Sequence, residues 1–142
     1  MRKYLVLSFL FLLPISSTAQ ENNYFLMLKN KKVNVRYGPS LDHPVKYIYR
    51  KINLPVKVID KKENFRRIID HKRNSGWIHI SQLRPSRSLI TTNEKILFKN
   101  STKYSKPLAK LDQGRLLKIL KCEDKWCNIK TGDYSGWIIK DN

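Results

Sequence analysis

Hydrophobic and polar residues alternate in short runs along this chain. Val33 and Val35 bracket Asn34, Val56 and Val58 bracket Lys57, and Ile78 and Ile80 bracket His79. Period-two alternation predicts β-strands with one buried face. Turn-forming residues separate the runs: Lys29 to Lys31, Gly38 to Ser40, Lys61 to Asn64 and Arg73 to Gly76. The pattern resumes with Leu117/Ile119 and Cys127/Ile129, followed by a loop from Thr131 to Gly136. Beyond the first twenty residues, no stretch keeps a helical apolar period for three turns. The expectation is an all-β chain with about five short strands in each half. Around His79 both isoleucines should face inward, which turns Trp77 toward solvent.

The two halves match each other block by block. Phe65 to Ile68 followed by Ser75-Gly76-Trp77-Ile78 corresponds to Trp126 to Ile129 followed by Ser135-Gly136-Trp137-Ile138. Upstream, Val33 to Arg36 corresponds to Ile96 to Lys99, and Pro44 to Pro107. The offset falls from 63 upstream to 60 at Trp77/Trp137, which means short loop deletions in the second copy rather than a different fold. Copy one is placed at residues 24–83, a joint at 84–88 and copy two at 89–142. A unit of ~55–60 residues buries only about 60% of its unfolded surface. Curling its sheet into a small barrel protects the edges, which favours a barrel over an open sheet.

The first nineteen residues read differently. Arg2 and Lys3 precede an apolar run from Leu5 to Leu13, broken only by Ser8, and Pro14 and the small residues Ser16 to Ala19 follow. This is the layout of a secretory signal peptide, residues 1–19, cleaved after Ala19. The run is shorter than the ~20 residues that cross a bilayer, and no later segment is a candidate span. Gln20 stands where a lipoprotein would carry cysteine. The mature chain is expected to be exported, periplasmic or extracellular, with no transmembrane span.

Composition narrows the function classes. A chain of 142 residues is too short for the large enzyme barrels and the two-half dinucleotide fold. Its net charge is +18, from 29 basic and 11 acidic residues, and cleavage removes only two of the positive ones. Twenty of the basic residues are lysines spread through both copies. Such charge attracts polyanions diffusely, here wall polymers, anionic lipid headgroups or lipopolysaccharide. With no nucleic-acid motif beside it, no specific nucleic-acid partner is expected. His43, His71 and His79 lie in three separate segments, none beside a thiol, and the acids offer only Glu123-Asp124, in an expected turn. No phosphate loop or zinc spacing occurs. The expectation is a protein that is not an enzyme and uses no metal or cofactor.

Cys122 and Cys127 flank a four-residue predicted hairpin, close enough for a disulfide outside the cytosol. Two free thiols, or a metal pair, are the alternatives, although two ligands alone make a poor zinc site.

The run Val33-Asn34-Val35-Arg36-Tyr37-Gly38-Pro39-Ser40 resembles the opening motif of bacterial SH3-like domains, and Gly76-Trp77-Ile78 resembles their closing strand. Copy two keeps Pro107, Trp126 and Gly136-Trp137-Ile138, but its opening has degenerated to Leu97 to Ser101, without Gly-Pro-Ser. The resemblance implies two small, partly open SH3-like β-barrels in tandem. It also implies a non-catalytic targeting or binding role at the bacterial envelope, where many relatives are attached to cell-wall hydrolases. Within the motif, Gly38 is expected to tolerate positive φ and Pro39 to fix its own, so that with Asn34 they shape a loop. Beside that loop lies the candidate groove: Tyr37, Tyr47 and Trp77 as flat walls, and Arg36 to contact an acidic group. The expected partner is a cell-wall (peptidoglycan) peptide or glycan. The alternatives are an adaptor for an envelope protein and a nonspecific polyanion or nucleic-acid binder.

Overall fold

The computed structural model describes residues 23–140, so the expected signal peptide lies outside the described residues. Copy one contains β1 (Tyr24–Leu28), β2 (Val33–Arg36), β3 (Val45–Tyr49), β4 (Pro55–Lys62), β5 (Phe65–Ile69) and β6 (Ser75–His79). A 3-10 turn (Ile80–Gln82) then leads into β7 (Leu83–Pro85). Copy two contains β8 (Ser88–Ile90), β9 (Lys95–Phe98), β10 (Pro107–Leu111), β11 (Leu116–Glu123), β12 (Trp126–Thr131) and β13 (Tyr134–Ile139). The described residues are thus all-β, with seven strands and then six where about five were expected per half.

The two sheets are antiparallel and share one topology. Their orders are β3-β2-β6-β5-β4-β1-β7 and β10-β9-β13-β12-β11-β8, so each strand of copy two takes the place of its counterpart, and β7 is an addition to copy one. Even the irregularities coincide. The β2–β3 ladder shifts register at Val35/Arg36 and the β9–β10 ladder at Pro107/Ala109. The β4–β5 ladder shifts at Val58/Asp60 and the β11–β12 ladder at Ile119/Lys121. A bulge bends and twists a strand, and these positions are where a small sheet must curl.

Each copy has its own core. Leu28, Val33, Val35, Val56, Ile68 and Ile78 are fully enclosed in the first, and Leu97, Leu117 and Ile129 in the second. Glycine in the closing motif is a packing requirement. A β-carbon on Gly76 would lie 2.4 Å from Val35 Cγ1, and one on Gly136 would lie 2.5 Å from the carbonyl oxygen of Phe98. The backbones of β6 and β2, and of β13 and β9, approach too closely for any side chain there. The alternation ends sooner than expected: Ile78 is buried, but Ile80 opens the 3-10 turn and is exposed. The His79 side chain accepts from the Ser81 N–H and ends the strand.

Ser86 and Arg87 are the residues between the strands of the two copies. The Ser88 hydroxyl donates to the Asn53 carbonyl at 2.6 Å, and the Ile119 N–H donates to the Arg87 carbonyl at 2.9 Å. Ile90, on the first strand of copy two, packs against the core of copy one. Among the described residues, no helix is long and apolar enough to cross a membrane.

Candidate binding site

Directly opposed residues of an antiparallel pair share a face. Arg36 on β2 opposes Trp77 on β6, and Trp77 opposes Arg67 on β5, so the three form a row across the outer face of copy one. Their chain neighbours Val35, Ile68 and Ile78 are buried on the other side. Trp77 is half-buried and Arg67 is exposed. The bulge in β3 adds Lys46 nearby. Its Nζ donates to the Ser75 carbonyl at 2.9 Å and sits 5.7 Å from the ring centre of the exposed Tyr37.

Arg36 also builds the adjoining loop. Its Nη1 donates to the carbonyls of Leu41 at 3.1 Å and His43 at 2.7 Å. Among the described residues, its Nη2 and Nε groups have no partner, which leaves one edge of the guanidinium for an incoming acceptor. His43 Nδ1 and Ser40 Oγ are 2.8 Å apart, and the Asp42 N–H donates to the same hydroxyl. Gly38 does not have the positive φ expected of it. It is glycine because the His43 ring occupies the space, 2.3 Å from where a β-carbon would stand.

Tyr47 does not join this face. It opposes Val35, not Arg36, and packs against the core of copy one. Its hydroxyl lies 3.3 Å from that of Tyr49, which donates to Asp70 Oδ2 at 2.9 Å. Asp70, buried, also accepts from Asn74 Nδ2 and from the N–H groups of Lys72 and Asn74. Burial alone would raise the Asp70 pKa, but the hydrogen bonds from Asn74, Tyr49 and Lys72 outweigh it and hold the carboxyl below the ordinary range. Burial pushes the Tyr47 and Tyr49 phenols up, and both remain neutral donors. The network closes the β5–β6 turn and belongs to the scaffold.

Copy two carries a different face. Trp137 opposes Phe98 and Asn128, the positions held by Arg36 and Arg67 in copy one, so the strand pairing matches Arg36 with Phe98 and not with Lys99 as the sequence repeat suggested. Lys121 lies 5.2 Å from the Trp137 ring centre but is ion-paired with Glu123 at 2.7 Å. The two outer faces therefore differ in charge, although their tryptophans are equivalent.

Cys122 and Cys127 oppose each other on β11 and β12 and are joined by a disulfide, with Cα atoms 4.1 Å apart. Among the described residues, no group of three or more His, Cys, Asp or Glu could hold a metal ion. His79 Nδ1 is 2.7 Å from Ser81 Oγ, a turn contact like that of His43 with Ser40. Of the residues expected to line the groove, the structure brings Arg36, Tyr37 and Trp77 near one loop and packs Tyr47 against the core instead, while Arg67 and Lys46, not named from the sequence, join the face. Arg67 could have been found from the hairpin register, and Lys46 depended on the bulge.

The bacterial SH3 domain model matches this chain twice, over residues 29–85 and 92–142. No curated protein matches it. Among solved structures it is similar to NlpC2 from Trichomonas vaginalis, 15% identical with a TM-score of 0.39, over 87% of this chain and 48% of that one. It is also similar to NlpC1 from the same organism, 14% identical with a TM-score of 0.36, over 90% and 49%. This chain spans about half the length of each.

Proposed function

The chain belongs to the bacterial SH3 domain family, and we propose that it acts as an exported, non-catalytic binding module for a cell-wall component. Copy one supplies the recognition face. The observation that carries this reading is the row Arg36–Trp77–Arg67, with one guanidinium edge of Arg36 unengaged. A flat indole offers a stacking surface for a sugar ring or peptide plane. Flanking guanidiniums suit a carboxylate, which they can grip through two parallel N–H donors. An acidic wall peptide presents both features. Copy two, with Phe98 and Asn128 in the flanking positions, supports copy one and adds diffuse positive charge.

Sedimentation with purified peptidoglycan over a salt series tests the proposal. Screening of exposed charge is nearly complete by about 0.5 M salt, where the Debye length has dropped well below 10 Å. Binding that persists there, and is lost in Trp77→Ala, supports the reading. Loss with salt together with equal binding to DNA identifies a polyanion effect and rejects it.

A further inference from the structure

A cavity lies between the two barrels, beside the outer-face row: Ile69, which lines it, is two residues from Arg67 on the same face of β5. It holds about 510 Å³, within the ~300–1,000 Å³ common for small-molecule sites. Phe25 opposes Lys57 across β1 and β4, and Lys57 opposes Ile69 across β4 and β5, so these three line one wall side by side. Leu89, Ile90 and Ile119 of copy two form the facing wall. Phe25 remains 59% exposed, an aromatic ring left open to water at the mouth of an apolar cleft.

The basic side chains lining the cleft carry uncompensated charge. Lys57 and Arg73 line it, and among the described residues neither side chain has a carboxylate partner. Asp70 borders it too, but its carboxylate is already committed to Tyr49, Asn74 and Lys72. His71 is the remaining titratable neighbour. The two copies are joined by the Ser88–Asn53 hydrogen bond and by Ile90 seated on copy one's core, and the Ile119–Arg87 hydrogen bond ties the joint to β11, so the cleft belongs to a built junction. Phe25, Ser88, Leu89 and Ile90 all lie outside the two family-matched spans, which makes the cleft a property of this chain rather than of either module.

We propose that this cleft binds a small amphiphile, an alkyl chain ending in a carboxylate. The chain lies between Phe25 and Ile69 on one side and Leu89 and Ile90 on the other, and the carboxylate meets Lys57 and Arg73.

Calorimetric titration with decanoate, octanoate, decanol and decyltrimethylammonium, each below its micelle concentration, tests this. Decanoate should bind one to one, and octanoate about tenfold more weakly for its two fewer methylenes. Decyltrimethylammonium should not bind. The double variant Lys57→Gln/Arg73→Gln should weaken decanoate at least tenfold while leaving decanol unchanged, and Phe25→Ala should weaken both. Trp77→Ala should leave decanoate binding intact, which separates this cleft from the wall-binding face. Matching thermal melts of the variants would confirm that each is folded. Absent or unsaturable decanoate binding, equal binding of the cationic amphiphile, or undiminished binding in Phe25→Ala would overturn the proposal.

Discussion

Replacing Gly76 with alanine should open the first barrel at its tightest crossing. The added carbon would lie 2.4 Å from Val35 Cγ1 and 3.0 Å from the Arg36 carbonyl oxygen. Carbon atoms pack best at about 3.5–4.0 Å, so β6 must withdraw by about 1 Å or Val35 must leave its rotamer. Val35 is fully enclosed, with little room to turn. Overpacking of this kind costs about 1–3 kcal/mol, and we expect about 2. A barrel of this size has only about 3–8 kcal/mol in all, at ~0.05–0.15 kcal/mol per residue. Urea unfolding followed by tryptophan fluorescence reads the loss as a lower midpoint. Gly136→Ala should cost copy two at least as much, because the atom in its way is a backbone oxygen with no rotamer to change. Val35→Ala combined with Gly76→Ala should lose less than the sum of the two changes, by about 1 kcal/mol. An unchanged midpoint in Gly76→Ala, or strict additivity in the pair, would refute the close-approach explanation.

Other consequences are equally open to measurement. Reducing the Cys122–Cys127 disulfide should destabilise copy two by about 2 kcal/mol, the chain-entropy value for so short a loop, and should leave copy one's transition in place. Asp70→Ala should cost about 2 kcal/mol by stranding the Tyr49 hydroxyl, read from denaturant melts. Because the native Asp70 pKa is lowered, its contribution is complete above the unfolded value near 3.9 and is lost as pH falls through the native value; Asp70→Asn should flatten that acid limb of a stability–pH curve. The Tyr49 phenol is shifted the other way, so its contribution is complete below about pH 10 and is lost above it; Tyr49→Phe should remove that alkaline limb. Arg67→Gln should weaken peptidoglycan binding several-fold without changing stability, and Lys121→Gln should change neither, as sedimentation and thermal melts would report.

Much of the fold could be read from alternation and repetition. Val33/Val35, Val56/Val58 and Cys127/Ile129 are buried as their spacing predicted, and the Gly-Trp-Ile strands recur at equivalent places in the two sheets. The site was harder, because it depends on a bulge. Lys46 interrupts the β2–β3 register, so Val45 opposes Arg36 while Tyr47 opposes Val35 and faces the core. Alternation alone cannot choose which face of β3 is inner: Tyr47 and Tyr49 are packed inward while Ile48 is left exposed. What favours this choice is Asp70, 21 residues further along the chain, which accepts from the Tyr49 hydroxyl, while Tyr49 in turn partners the Tyr47 hydroxyl. Ile80 escaped for a local reason, since the His79 side chain caps the next turn and ends the strand one residue early. The junction cleft was invisible for a different one. Phe25 and Ile90 belong to different copies, and only the docking of β8 beside copy one brings them together.

The most direct measurement is a titration of the isotope-labelled protein with soluble peptidoglycan stem peptide, following the three indole N–H resonances by NMR. Trp77 should shift with saturation, while Trp126, buried beside Phe98, and Trp137 should stay in place. A shift at Trp137 alone, or no saturable shift at any indole, would contradict recognition through Trp77.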